Sequence, residues 1–168
     1  MRAFSAILAL MATGLLLSAC GQKNAAPEQA EAPGEPAALA SPATPNPAQV
    51  KALLATLPAP FDAADPEHGK HIFAQCAACH TNAQGAPNMT GPNLYGLFGR
   101  RAGGVADYSY SDVLKAAGFT WDAARINTWI TSPQAMLPGT KMTFLGLKDA
   151  KDRADVIAYL KVSTTPAP

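Results

Sequence analysis

At 168 residues the chain is long enough for one domain of ordinary size, and a formal net charge of +1 gives it no basic excess with which to hold nucleic acid. Three cysteines, two of them three residues apart, do not form a disulfide framework. Composition instead divides the chain into an apolar leader, an alanine- and proline-rich stretch, and a mixed body.

The leader, residues 1–19, has one early cation, Arg2, and an apolar run from Ile7 to Leu17, the pattern of a signal peptide. The run is short for a membrane span. Leu17-Ser18-Ala19-Cys20 resembles the lipobox of bacterial lipoproteins. That resemblance implies cleavage before Cys20, acylation of Cys20, and export to a lipid bilayer facing the periplasm or to the outer face of the cytoplasmic membrane. The alternative is an uncleaved signal-anchor in which Cys20 has no role.

Residues 20–61 read as a tether. Eight prolines fall between Gly21 and Pro60, too polar and too interrupted a stretch to bury a core of its own. A coil of that length spans on the order of 35 Å. Within it, Asn46-Pro47 is a cap and first-turn signal, and Val50, Leu53, Leu54 and Leu57 fall at helical spacing before Pro58 and Pro60. The spacing predicts a short helix with a leucine stripe that either frays or docks on the domain that follows.

Cys76-Ala77-Ala78-Cys79-His80 carries the chemistry. Two thiols three apart followed at once by histidine is the spacing for c-type haem attachment, each sulfur adding across a vinyl group and the imidazole lying under the iron. A structural zinc site would need four ligands, and Cys20, His68 and His71 are poorly spaced to complete one. A thioredoxin-like pair would sit beside strands, which the flanking residues do not suggest. A second axial ligand for electron transfer is commonly a thioether, and Met89, Met136 and Met142 follow the motif. Met142 closes the turn-forming Pro138-Gly139-Thr140-Lys141-Met142, which suits a loop crossing to the far face of a flat cofactor, whereas Met89 and Met136 read as packing residues.

Beyond these residues, Gly91-Pro92-Asn93-Leu94-Tyr95-Gly96-Leu97-Phe98-Gly99-Arg100, Tyr108-Ser109-Tyr110, Gly118-Phe119-Thr120-Trp121 and Ile157-Ala158-Tyr159-Leu160 occur in the order seen in class I cytochromes c. Residues 66–162 resemble that family. The resemblance implies an all-α fold wrapped around one covalent haem c over residues 62–162, with 163–168 a disordered tail. It also implies iron ligation by His80 and Met142, with the Pro92 carbonyl orienting His80. Arg100, Tyr110 and Trp121 can supply a guanidinium, a phenol and an indole NH to the propionates, and Thr140 belongs to the same cofactor-binding set. Tyr110 and Trp121 also read as plain core aromatics.

Helix signals support this layout. Asp65-Pro66-Glu67 caps a helix into Cys76, with Gly69 and Phe73 on one face, and Asp122 caps another through Ile130. Lys151 to Lys161 presents Val156, Ile157, Tyr159 and Leu160 in a helical pattern. Gly85, Gly91, Gly103 and their neighbours predict loops between. Three positions depart from the family. Two residues rather than three separate Phe73 from Cys76, and Leu114 stands in place of an asparagine of the haem-side water network. Trp129 replaces a tyrosine whose hydroxyl bonds the methionine sulfur, and its NH is expected to point elsewhere, leaving the sulfur one bond fewer.

With Arg2 removed, twelve basic and twelve acidic side chains remain. Gln75, Gln134, Ala135 and Asp149 stand where mitochondrial relatives carry lysines, so long-range steering is expected to be weak and confinement by the tether to take its place. The expected function is one-electron transfer between membrane redox complexes, a quinol-oxidising cytochrome complex and a terminal oxidase or reductase, with no small-molecule substrate. The alternatives are a haem enzyme with an open sixth site and a dedicated electron-transfer subunit of a dehydrogenase.

Overall fold

The computed structural model describes residues 44–165. The leader, Cys20 and most of the tether lie outside the described residues, as do residues 166–168. Six helices run in the order α1 (Pro47–Leu54), α2 (Pro66–Ala77), α3 (Asp112–Lys115), α4 (Ala123–Thr131), α5 (Pro133–Met136) and α6 (Ala150–Thr164), with a 3-10 turn at Phe61–Ala63 between the first two. Among the described residues there is no strand, only an isolated antiparallel bridge between Arg101 and Thr120. The fold is all-α.

Each long helix starts where its cap dictates. The Asp65 carboxylate accepts from the amides of Glu67 and His68 at 2.9 and 3.1 Å, Asp122 accepts from Arg125 at 2.7 Å, and Asp149 accepts from Lys151 and Asp152 at 2.7 and 3.1 Å. These side chains satisfy donors that the first helical turn leaves unpaired.

α2 crosses α6 at Gly69, where a β-carbon would fall 1.9 Å from the Asp155 carbonyl oxygen. The crossing is closed by the Phe73 and Tyr159 rings, 5.2 Å apart, and by the Asp155 carboxylate, which accepts from the Asp65 amide and the His68 imidazole, both at 2.8 Å. Five consecutive residues of α6, Ala154 to Ala158, are buried. At 100° per residue they occupy the whole circumference, so the middle of this helix is enclosed rather than amphipathic. α2 lies against one side, α4 against another, and α1 with the 3-10 turn against a third.

That third wall moves the domain boundary. Asn46, whose side chain and backbone form a capping box with Gln49, opens α1, so elements before residue 62 also pack against α6. α1 itself ends at Leu54 with its stripe only half-buried, and the deep anchors come just after it, Leu57 and Phe61, both members of the main core. The other end shifts too. α6 runs on to Thr164, which is fully buried and whose carbonyl accepts from the Gly96 amide at 2.6 Å, so the packed chain passes residue 162.

Candidate haem site

The end of α2, the loop that follows it, α3, α4 and the segment 140–144 enclose a cavity of about 340 Å³. Cys76 reaches it from the last turn of α2 and Cys79 from the turn just beyond, where the amides of Cys79 and His80 both turn back to the Cys76 carbonyl at 3.0 and 2.9 Å. Neither cysteine is in a disulfide. Burial, with Cys79 beside it, pushes the Cys76 thiol up to about 11, which marks a place built for an uncharged sulfur such as a thioether.

His80 lines the same cavity, and its Nδ1 donates to the Pro92 carbonyl at 2.7 Å. Burial lowers its basicity more than this bond restores it, and the nearby Arg100 lowers it further. A neutral ring with Nδ1–H committed leaves Nε2 as a lone-pair donor, the state a metal ligand requires. Gly91 packs flat on the ring, since a β-carbon there would lie 2.3 Å from its Cε1.

Of the three methionines after the motif, Met142 alone lines the cavity; Met89 is on the surface and Met136 borders a shallow groove beside α4. The Met142 segment is held at both ends. Gln134 donates to the Thr140 and Met142 carbonyls at 2.9 and 3.1 Å, and the Leu147 amide donates to the Ile130 carbonyl at 2.8 Å. Gly146, at φ +93, lets the chain pass the end of α4, where a β-carbon would meet the Thr131 carbonyl oxygen at 2.0 Å.

The Trp129 indole corrects one expectation: its Nε1–H donates to the Met142 sulfur at 3.1 Å, so the sulfur keeps its bond although the hydroxyl is gone. Its direction is set by packing, because Trp129 meets Trp121 edge to face at 5.5 Å and Trp121 meets Phe119 at 4.9 Å. Leu114 is buried in the cavity wall and makes it apolar.

Arg100, Tyr110, Trp121 and Thr140 face the cavity as well. The Arg100 guanidinium donates to the Tyr95 carbonyl at 3.1 Å, and among the described residues no carboxylate pairs with it. Burial lowers its pKa and raises that of Tyr110, so a half-buried cation and a protonated phenol stand together without an anion. Sequence reasoning missed Ser111. Its hydroxyl is buried in the cavity wall and has no hydrogen-bond partner. Its only signal was its place directly after Tyr110. An orphaned hydroxyl and an unpaired guanidinium fit the two carboxylates of a haem. Among the described residues no three His, Cys, Asp or Glu side chains gather as a group that could hold a metal ion.

Comparison with known proteins agrees with this geometry. The cytochrome c family pattern matches residues 66–164. The chain belongs to the cytochrome c family. It is 48% identical to cytochrome c2 of Rhodoblastus acidophilus over 98 residues, 58% of this chain and 92% of that protein. To cytochrome c of Cannabis sativa it is 47% identical over 110 residues, 63% of this chain and 99% of the relative. Among solved structures, cytochrome cH from Methylobacterium extorquens superposes with a TM-score of 0.55 at 44% identity, covering 58% of this chain and 98% of that one. This cytochrome therefore holds haem c covalently and is an electron carrier. The family match leaves out residues 46–61, which pack against α6 all the same.

Proposed function

We propose that this cytochrome is a lipid-anchored one-electron carrier of a respiratory or photosynthetic chain, working on the periplasmic side of a membrane between a quinol-oxidising complex and a terminal oxidase or reductase. The observation that carries the reading is the pairing in one cavity of His80, with Nε2 available, and Met142, with its sulfur already oriented by Trp129. The haem supplies a one-electron couple at its iron. Cys76 and Cys79 would hold it by thioethers, His80 and Met142 would ligate its iron, and Arg100, Tyr110, Trp121, Ser111 and Thr140 would receive its carboxylates. With His80 and Met142 both committed to the iron no ligand position would remain for a substrate, which supports a carrier over an enzyme. Gln75, Ala77, Gln134, Ala135 and Lys141 are exposed, Gln75 and Lys141 at the cavity itself, and are assigned here as the contact patch. Acylated Cys20 supplies the anchor, and among the described residues no helix is long and apolar enough to cross a membrane.

Two variants test this. Met142→Ala abolishes the weak sulfur-to-iron charge-transfer band of the ferric protein and lowers its potential; the same result from Met136→Ala, with Met142→Ala silent, refutes the ligand assignment. Cys20→Ser yields a soluble exported cytochrome with an unchanged haem spectrum. Retention in the membrane would instead indicate a signal-anchor.

A further inference from the structure

The segment that carries Met142 lacks a ladder of its own. Among the described residues no backbone group from Lys141 to Gly146 bonds to another backbone group; the bonds that flank it run from the Thr140 amide to the Leu137 carbonyl at 3.1 Å and from the Leu147 amide to the Ile130 carbonyl at 2.8 Å. Backbone groups left without backbone partners are satisfied by side chains or water. Met142 finds side chains for each of its polar atoms. Its amide donates to the Thr140 hydroxyl at a long 3.4 Å, its carbonyl accepts from Gln134 at 3.1 Å, and its sulfur accepts from Trp129 at 3.1 Å.

Gln134 does more than serve one carbonyl. The same Nε2 also donates to the Thr140 carbonyl at 2.9 Å, so a single amide group pins the backbone on either side of Lys141. Its footing is firm. Pro133, directly before it, is fully buried, and the amides of Met136 and Leu137 bond to the Ser132 and Pro133 carbonyls at 3.1 and 2.9 Å. α5 follows α4 without a loop, so the residue that grips the Met142 sulfur and the residue that grips its carbonyl belong to one braced stretch of chain. Lys141 adds a tie in another direction, its ammonium donating to the Ser109 carbonyl at 3.0 Å and hydroxyl at 3.2 Å.

We propose that Gln134 is the positioning residue of Met142: its two bonds set how readily the sulfur leaves the iron and admits an outside ligand. The proposal rests on the ligand assignment made above. Trp129 alone directs the sulfur but leaves the backbone free to swing. Gln134 restrains that backbone, and with it the population of molecules whose sixth position stands open.

Imidazole is the probe, because it takes the iron only where the sulfur has left. The concentration that displaces half of the sulfur therefore falls in proportion as the open population rises. The haem-loaded full chain in its ferric form is titrated at neutral pH, following the sulfur-to-iron charge-transfer band. Gln134→Glu keeps the shape and loses the donor, and Gln134→Leu loses the donor without adding charge. Both should show the band in the absence of imidazole and lose half of it at about one-tenth of the parent's imidazole concentration, the worth of one or two neutral hydrogen bonds. Gln134→Arg, which keeps donors at the end of the side chain, should return most of the way to the parent. An unchanged imidazole requirement in Gln134→Glu and Gln134→Leu would overturn the proposal, and thermal destabilisation without a change in that requirement would reduce Gln134 to a structural role. An effect of Gln134→Glu alone would trace to its charge, and a Gln134→Arg that behaved as Gln134→Leu would trace to shape; either result overturns it too. In all these cases a parent band that vanishes in Met142→Ala leaves the ligand assignment standing. A parent without the band, or one whose band survives Met142→Ala, would sink the assignment and the proposal together.

Discussion

Trp129 brings two functions into one side chain: its ring fills the space between Trp121 and the cavity, and its NH withdraws electron density from the Met142 sulfur. A weaker thioether donor favours the ferrous state. Trp129→Phe keeps the ring and removes only the donor, so the potential should fall by tens of millivolts, about what a neutral hydrogen bond of ~1 kcal/mol is worth to a one-electron couple. Voltammetry of the two proteins reads this directly, and a rise in potential would contradict the direction. The sequence showed that tryptophan stood in a tyrosine's place but not where its NH pointed, because that direction is set by Trp121 and Phe119, whose stacking spacing does not encode. Ser111 escaped for a related reason. A serine after a tyrosine is unremarkable until burial strips it of water. Cys76, Cys79, His80 and Met142, by contrast, drew notice through residue type and local spacing together, and the fold brings all four to one cavity.

At the scale of elements, caps decided helix starts and were readable from Asp65, Asp122 and Asn46 alone. Helix ends and docking were not. The composition of residues 20–61 pointed to a tether, yet Leu57 and Phe61 leave that composition and enter the core. Prolines that end α1 do not prevent the next residues from packing. Leu57→Ala and Phe61→Ala should destabilise the protein by about 2 and about 3 kcal/mol, the low end for core truncation of each residue type. Thermal unfolding followed by circular dichroism measures it, while the charge-transfer band should stay unchanged because neither residue lines the cavity. A loss of that band would mean that the segment from Leu57 to Phe61 reaches the haem after all.

For the whole molecule, acid stability hinges on Asp155. Burial pushes its carboxyl up, but hydrogen bonds from Lys151, the Asp65 amide and His68 outweigh burial and leave it below the usual range. A carboxylate lowered in the folded state contributes stability that is present above its unfolded pKa, about 4, and is lost as pH falls through the lowered folded value. Asp155→Asn removes that contribution. Its deficit relative to the parent should be fully developed at neutral pH and shrink below about pH 4 as the parent's own carboxylate protonates. Urea unfolding at a series of pH values checks the sign, and a deficit that grew on acidification would refute it.

The bond between the Asp65 amide and Asp155 joins residues 90 apart, and every residue lining the cavity except Leu160 lies between them. Closing a loop of that length costs about 4 kcal/mol in chain entropy before α2 and α6 return any contact. The crossing of α2 and α6 is thus a non-local contact that the interior between them must help to stabilise. A cofactor bonded at Cys76 and Cys79 fills it from within, which ties the rate at which this protein matures to haem delivery rather than to helix formation.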